Sequence, residues 1–255
     1  MLDLIRYRVA ARVAGLHSIF SVLVALLAAW LVFGIWYAFP FGELAGGREL
    51  FLLVVSVDML CGPLLTLVLF DPKKSRTELW TDLGLVALIQ LGALGYGMWT
   101  VWQARPLYLV HEVDRFKVVS VLDVDAVQLN SLPSNLKSQL WVGPRTVDIR
   151  SPKNTDEQNS ILFESAAGGR DYGARPEFYI PYDDAAGLRA ISRAKPLAFF
   201  LQKQPSQQQS AEKLAREIGA DMAQWMYLPV VARQDWVAIL NKEGQIQGFL
   251  KGDGF

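Results

Sequence analysis

The sequence predicts a membrane protein in which three transmembrane α-helices are followed by a mixed α+β soluble domain. Three apolar stretches lie near the start of the chain, and each is long enough to cross a bilayer, for which about 20 apolar residues suffice. From Arg105 onward the composition is that of an ordinary soluble domain. We therefore divide the chain into a membrane domain, residues 1–104, and a soluble domain, residues 105–255. The predicted spans are Leu16–Ala38, Glu49–Phe70 and Leu79–Trp102.

The first apolar stretch is interpreted as a retained helix and not as a cleaved signal peptide. Its apolar run exceeds the roughly 7–15 residues of a signal-peptide core. No clear small-x-small cleavage site accompanies it. The protein is therefore expected to keep all three spans.

Basic residues predict which side of the membrane each loop faces. Most of them lie before the first span or between the second and third spans, whereas Arg48 and Arg105 are the only ones on the opposite side near the membrane. Because Lys and Arg concentrate in cytoplasmic loops, the N-terminus is predicted to be cytoplasmic and the soluble domain periplasmic. Aromatic residues at the outer ends of the first and third spans are predicted to form interfacial belts. They are Trp36, Tyr37, Phe39, Phe41, Trp99, Trp102 and Tyr108. The basic residues on the cytoplasmic side are Arg6, Arg8, Arg12, Lys73, Lys74 and Arg76.

The soluble domain is predicted to contain strands at both ends and helices between them. Two runs of β-branched and aromatic residues flank Asp114-Arg115 and predict a hairpin at the membrane exit. Helices are predicted over Thr155–Ala167 and Ser210–Ile218. The tail predicts three short strands, with Asn241–Gln245 as the last turn. The terminal strands are expected to share one sheet, with helices packed on a face.

Charge and the scarcity of cysteine and histidine argue against several function classes. The chain has 25 Lys plus Arg and 25 Asp plus Glu, without a basic run, which argues against nucleic-acid binding. The one cysteine, Cys61, lies in the second span, so the soluble domain has no disulfide. The two histidines, His17 and His111, are too few for a Cys/His zinc site. We predict neither a metal nor a cofactor.

A carboxylate lies about midway along the second span. Asp58 near the bilayer centre costs roughly 2.5–3.5 kcal/mol on insertion scales, so it is expected to face protein and to be partnered or protonated. Gln90, midway along the third span, is the predicted partner, and no second ionisable residue is expected at this depth. Three roles remain open for Asp58: a bond to Gln90 that holds the bundle together, a contact with the transmembrane helix of a client, and a proton relay.

Small residues and a proline accompany Asp58. Pro63 lacks the N–H that would close a helix hydrogen bond, which predicts a kink. The third span is rich in glycine, and small residues allow helices to approach closely in lipid. These residues serve either the packing of the three spans or a groove for another helix. The candidate site, a polar core of the bundle or a contact for a pilin helix, consists of Asp58, Gln90, Gly62, Pro63, Gly92 and Gly97.

Catalytic motifs are weak in this sequence. Asp123-Val124-Asp125 is similar to the DxD triplet of metal-dependent glycosyltransferases, but aspartates are also common in turns, and we prefer the turn interpretation. Asp183-Asp184 is predicted to cap a helix. The sequence contains no GxSxG motif, no Walker loop and no Cys/His nucleophile pair. We predict that the protein is not an enzyme and has no catalytic residues.

The spans and the first hairpin resemble the TfpX/TfpZ family of type IV pilin accessory proteins, whose members include proteins called FimB. The resemblance is carried by VDMLCGPLLTL, LIQLGALGYG and ARPLYLVHEVDRF, and continues more loosely through WVGPRTV, GGRDYGARPEFYIPY and LPVVARQDWVAIL. It implies a multi-pass protein of the bacterial inner membrane that acts as a pilin-specific chaperone or assembly factor and promotes surface display of its cognate pilin. It implies no catalytic residue. The matching residues are Asp58, Gly62, Pro63, Gln90, Arg105, Pro106, Asp114 and Arg115.

The architecture and the resemblance predict the same partners. A type IV major pilin waits in the membrane as one apolar helix with a globular head outside, so contacts are expected through its transmembrane helix, its periplasmic head, or both. The lipid bilayer is the other partner. The alternative is a small membrane-bound enzyme that modifies pilin, with Asp123 and Asp125 holding a metal. Its sugar-nucleotide donor would be cytoplasmic, whereas the predicted topology puts both aspartates outside.

Overall fold

The structure, a computed structural model, describes residues 2–139 and 142–255. Its first part contains three helices that are long and apolar enough to cross a membrane, as predicted. The first helix begins at Leu2, ahead of the predicted membrane span that starts at Leu16, and it ends in a π-helical turn, Val32–Trp36. The helices of this part are α1 (Leu2–Leu31), the short α2 (Phe41–Leu44), α3 (Gly47–Leu69) and α4 (Arg76–Gln103).

The start of α4 is fixed by a capping box. The Ser75 hydroxyl accepts a hydrogen bond from the Glu78 N–H at 3.3 Å, and the Glu78 carboxylate accepts one from the Ser75 N–H at 2.9 Å. This exchange satisfies backbone donors that the first helical turn leaves free. The chain therefore turns sharply after α3, and α4 returns antiparallel to it.

The central helix of the bundle is α3, because α1 and α4 both pack mainly on it. Gly97 of α4 lies against Val54 of α3, where a β-carbon would collide with the valine side chain. Pro63 lies inside α3, which continues beyond it to Leu69. The Tyr37 hydroxyl, buried in the bundle, donates to the Val101 carbonyl at 3.0 Å.

The prediction of aromatic belts is wrong for three of the residues named. Tyr37, Phe41 and Tyr108 are buried. Both tyrosines donate their hydroxyls to backbone carbonyls, Tyr108 to Leu136 at 3.1 Å, so they face protein and not the membrane interface. Phe39 is 83 % exposed at the end of the first span, where an interfacial residue is expected.

The soluble domain is built on one mixed sheet. The strands are β1 (Pro106–Glu112), β2 (Arg115–Ser120), β3 (Arg145–Ile149), β4 (Tyr179–Pro181), β5 (Lys195–Pro196), β6 (Met226–Val231), β7 (Trp236–Leu240) and β8 (Ile246–Lys251). Their order in the sheet is β4-β3-β1-β2-β6-β7-β8, with β5 beside β6, and the parallel pairs are β1 with β3 and β2 with β6. The predicted hairpin around Asp114-Arg115 is confirmed as β1 and β2, and the pairing of β2 with β6 confirms that strands from both ends share one sheet.

The two predicted helices of the soluble domain are confirmed, with small differences at their ends. Asn154 caps one of them by accepting from the Glu157 N–H at 2.8 Å. Asp183 accepts from the Ala186 N–H at 3.0 Å, so the predicted cap at Asp183 is also confirmed. The helices are α5 (Ala126–Ser131), α6 (Thr155–Ala166), α7 (Asp184–Arg193), α8 (Leu197–Lys203) and α9 (Gln208–Ile218).

Helices cover both faces of the sheet, where the sequence led us to expect one. Alternate residues of a strand point to opposite faces, and β7 shows this clearly. Ala238 belongs to a buried cluster with Ala190 of α7, whereas Val237 belongs to a cluster with Phe200 of α8 and Ala211 of α9. A sheet buried on both faces explains why all five residues of β7 are apolar and buried.

The short helix α2 joins the membrane bundle to the soluble domain. Phe41 and Leu44 belong to the buried cluster of the sheet, although they lie before the predicted domain boundary. The Leu44 carbonyl accepts from the Gln234 N–H at 3.2 Å, and the Gln234 amide donates to Glu49 at 3.1 Å. The loop after the first span and the soluble domain therefore lie on the same side of the bundle.

Candidate functional site

A mostly apolar cavity with a few polar side chains lies among the three membrane helices, and we call it the bundle groove. It has a volume of about 200 Å³, with α1 and α4 as its walls and one residue of α3 as its floor. Leu91 is 64 % exposed and Phe20 is 63 % exposed, so the groove is open toward the surroundings of the bundle. Its lining residues are His17, Phe20, Ser21, Val24, Asp58, Ala87, Gln90, Leu91 and Leu94.

The floor of the bundle groove is Asp58, with Gln90 beside it. The Gln90 amide donates to the backbone carbonyl of Asp58 at 3.2 Å, so Gln90 lies beside Asp58 and bonds to its main chain. Asp58 Oδ1 is buried and makes no hydrogen bond with the residues that the structure describes. Buried polar atoms almost always have a hydrogen-bond partner, so this oxygen has acceptor capacity that the described part of the chain leaves unused.

A second ionisable residue lies in the bundle groove, contrary to the sequence prediction. His17 lines the groove with Asp58, and its Nδ1 is 2.6 Å from the Thr66 hydroxyl. We placed His17 at the start of the first span, but α1 begins at Leu2, so His17 lies well inside the helix. Extending the helix backward through the arginine-containing segment before Leu16 would have brought His17 into the site.

The small residues of the predicted site separate into two groups. Gly62 lies against Gln90, and Gly97 lies against Val54, so these two glycines serve packing between α3 and α4. A β-carbon at Gly92 would meet no described atom within 4 Å. The structure thus brings Asp58, Gln90 and Gly62 together, whereas Gly92 lies on the open face of α4.

The aspartates of the DxD triplet act as caps. Asp123 Oδ2 accepts from the N–H and the hydroxyl of Ser120, each at 2.7 Å. Asp125 Oδ1 accepts from the Val127 N–H at 2.7 Å and begins α5. The turn interpretation is therefore confirmed. Among the described residues, no group of three or more His, Cys, Asp or Glu side chains is placed to hold a metal ion.

A buried ionic cluster in the soluble domain was missed by the sequence prediction. Asp148 Oδ1 lies 2.8 Å from His111 Nδ1, Arg189 Nε donates to Asp148 Oδ2 at 3.2 Å, and both the His111 and Asp148 side chains are only 3 % exposed. Burial acts to raise the pKa of Asp148, but the hydrogen bonds from His111 and Arg189 outweigh it and hold this pKa below its ordinary value. The cluster joins β1, β3 and α7, and nothing local in the sequence indicates that these elements meet.

The family model and the relatives that match the chain are all described as fimbrial assembly proteins. The family model for the fimbrial assembly protein FimB matches residues 5–46, which cover most of α1 and all of α2. The fimbrial assembly proteins of Dichelobacter nodosus serogroups I and E1 are each 33% identical to the chain over 254 residues. Each alignment covers 98% of this chain and 98% of the relative. The protein of serogroups C1 and C2 is 40% identical over 119 residues, 47% of this chain and 91% of that relative. No solved structure matches the chain.

The two full-length relatives extend the similarity far beyond the residues of the family model. Their alignments cover the three membrane helices and the whole sheet domain, and the FimB match includes the segment that docks the bundle onto that domain. Identity of this level over nearly complete chains confirms the resemblance seen in the sequence, and the chain belongs to the FimB family of fimbrial assembly proteins.

Proposed function

We propose that the protein is a non-catalytic accessory factor of the bacterial inner membrane that binds its cognate type IV pilin and promotes pilus assembly and surface display. The observation that carries this proposal is the bundle groove, an open cavity between α1 and α4 with a carboxylate on its floor. The names of the relatives, all fimbrial assembly proteins, support the choice of a pilin as the client.

The bundle groove has the features that a transmembrane helix needs in a docking site. In lipid, helices associate through close packing and hydrogen bonds, because the surrounding acyl chains are as apolar as the side chains. Leu91 and Phe20 supply exposed apolar walls, and Asp58 supplies an acceptor oxygen without a partner among the described residues. A client helix that donates a hydrogen bond at this depth would offset the cost of burying Asp58.

The proposed topology places the soluble domain in the periplasm and the N-terminus in the cytoplasm. The excess of Lys and Arg before the first span and in the second loop supports this orientation. Phe41 and Leu44 dock on the sheet, so the first loop and the soluble domain lie on one side of the membrane in either orientation. The same protein would thus contact a pilin helix in the membrane and a pilin head outside it.

Site-specific photo-crosslinking tests the proposed docking site. A photoreactive amino acid at Leu91, which lines the groove, is expected to capture pilin in cells. The matched control is Leu60, which is 63 % exposed against 64 % for Leu91. Leu60 follows Asp58 by two residues and therefore points away from the groove floor. Equal capture of pilin from both positions would contradict docking in the groove.

The carboxylate is tested by Asp58→Leu, which replaces it with an apolar side chain of similar volume. We expect normal protein levels in the membrane, because the lost polar contact is offset by apolar packing. Crosslinking from Leu91 and piliation are expected to be lost. Full piliation would exclude an essential role for Asp58 in client binding, and a fall in protein level would assign Asp58 to bundle stability instead.

A further inference from the structure

A second cavity lies in the soluble domain, far from the bundle groove, and we call it the arginine cleft. It has a volume of about 600 Å³, within the range of small-ligand sites, which is roughly 300–1,000 Å³. Three guanidinium groups line it, from Arg150 after β3 and from Arg189 and Arg193 on α7. Among the described residues that line it, Asp148 is the only carboxylate, so arginines outnumber carboxylates in the lining.

Two of these arginines are held in place by other groups. Arg189 is bound to the buried Asp148, which His111 holds from the other side. Arg150 forms two parallel hydrogen bonds with Glu157, at 2.8 and 2.9 Å, and lies over the ring of Phe178 at 4.2 Å. These bonds lower the pKa of Glu157 to about 2. Guanidinium groups fixed in this way lose little conformational entropy when they bind an anion.

The third arginine is not neutralised by the described part of the chain. Arg193 follows Arg189 by four residues, so both lie on one face of α7. It forms no ion pair with the described residues. The nearby Asp114, whose carboxylate feels the charge of Arg193, is already bound to Arg115 at 2.8 Å. With respect to the described residues, the guanidinium of Arg193 therefore has an available hydrogen-bonding fork.

The position of the cleft indicates where its ligand comes from. β1 leaves the membrane helix at Pro106, and His111 and Val113 lie at its far end, near the hairpin turn. A strand rises about 3.3 Å per residue, so His111 lies roughly 15 Å along β1 from the end of α4. This separation favours a ligand from solvent over the headgroup of a bilayer lipid.

We propose that the arginine cleft binds a soluble ligand through a carboxylate or phosphate oxyanion, with Arg193 and Arg189 as the contacting residues and Asp148 and His111 as positioning residues. Carboxylate and phosphate both present a pair of oxygens that can accept two hydrogen bonds from a guanidinium fork. The proposal does not depend on docking of pilin in the bundle groove.

The test uses the full-length protein in nanodiscs of phosphatidylcholine, titrated with glutarate, with inorganic phosphate, or with chloride at the same ionic strength. A ligand that binds the native state raises its unfolding midpoint in a saturable manner. We expect such a rise with glutarate, phosphate or both, but not with chloride. Arg193→Gln is expected to weaken the apparent affinity by roughly tenfold or more, because a charged hydrogen bond is lost. Since Arg193 is exposed, this variant is expected to fold with the same midpoint in the absence of anion.

The matched control is Arg216→Gln, an exposed arginine on α9 that does not line the cleft. It is expected to bind like the unsubstituted protein. The glutarate and phosphate arms distinguish the two sources of the oxyanion. The proposal is overturned if neither anion stabilises the protein, or if Arg193→Gln and Arg216→Gln respond alike. It is also overturned if nanodiscs containing phosphatidylglycerol alone produce the Arg193-dependent rise, since the ligand would then be a headgroup.

Discussion

Leu44 offers the sharpest test of how the membrane bundle is joined to the soluble domain. Its side chain is completely buried, in the cluster that includes Leu109 and Leu228 of the sheet. Leu44→Ala removes three carbon atoms from a closed core, which typically costs about 2–5 kcal/mol as lost transfer energy and cavity formation. We expect the free energy of unfolding of the soluble domain to fall by this amount, although the substitution lies in a loop between two membrane helices.

Hydrogen exchange measured by mass spectrometry can follow this change in the full-length protein. Amides of β7 (Trp236–Leu240) exchange through opening of the sheet, and their exchange rate rises about tenfold for each 1.4 kcal/mol of lost stability. A loss of about 2–5 kcal/mol therefore predicts an acceleration of roughly 30-fold to several thousandfold. Amides of α3 are expected to change much less, because the bundle keeps its own contacts.

The matched control is Phe39→Ala in the same loop. Phe39 is 83 % exposed, so its truncation is expected to change stability by about 0.5 kcal/mol or less. If Leu44→Ala and Phe39→Ala leave exchange in β7 equally slow, then α2 does not contribute to the core of the soluble domain, and the reasoning is refuted.

Three further predictions follow from other parts of the structure. Alkaline phosphatase is expected to be active when fused after Phe255 and inactive when fused after Lys74, and the reverse pattern would contradict the proposed orientation. Burial raises the pKa of the Glu112 carboxyl above its ordinary value of 4.5, so the folded state binds the carboxyl proton more tightly than the unfolded state does. The free energy of unfolding therefore decreases as the pH rises from the pKa of the unfolded state to that of the folded state. Glu112→Gln is expected to make the free energy of unfolding depend less on pH, as measured by denaturant titrations at several pH values. An unchanged pH dependence would contradict a raised pKa of Glu112. Gly97→Ala is expected to cost about 1–3 kcal/mol because its methyl group meets α3, whereas Gly92→Ala is expected to be tolerated, and equal unfolding midpoints would contradict this packing.

Much of the fold was predictable because its signals are local. The apolar stretches, the hairpin at Asp114-Arg115 and the last turn at Asn241–Gln245 each follow from neighbouring residues. The helix α1 extends beyond the predicted span for a physical reason. Hydropathy indicates where a segment leaves the lipid, whereas a helix continues as long as its residues favour the helical backbone. The arginine-containing segment after Leu2 favours it and is helical.

The candidate site was only partly predictable. A carboxylate such as Asp58 within an apolar span is easily recognised in the sequence. A helix that is apolar all round, however, does not reveal which of its faces packs against a neighbouring helix. That is why Gly97 and Gly92 looked equivalent in the sequence, although one is packed against α3 and the other is open. The contact between His111 and Asp148 depends on β1 and β3 being parallel neighbours, a crossover that no local pattern encodes.

The pairing of β2 with β6 has a consequence for the order in which the protein is made. Phe116 pairs with Val230, so the middle of the sheet joins segments near opposite ends of the soluble domain. Loop closure over such a separation is slow, and it cannot begin before the last strands have been synthesised. Until then the hairpin of β1 and β2 exposes the edge of β2, which is able to pair with other chains. A nascent molecule whose synthesis stops before β6 is thus expected to be a target for proteases, even with its membrane helices already in place.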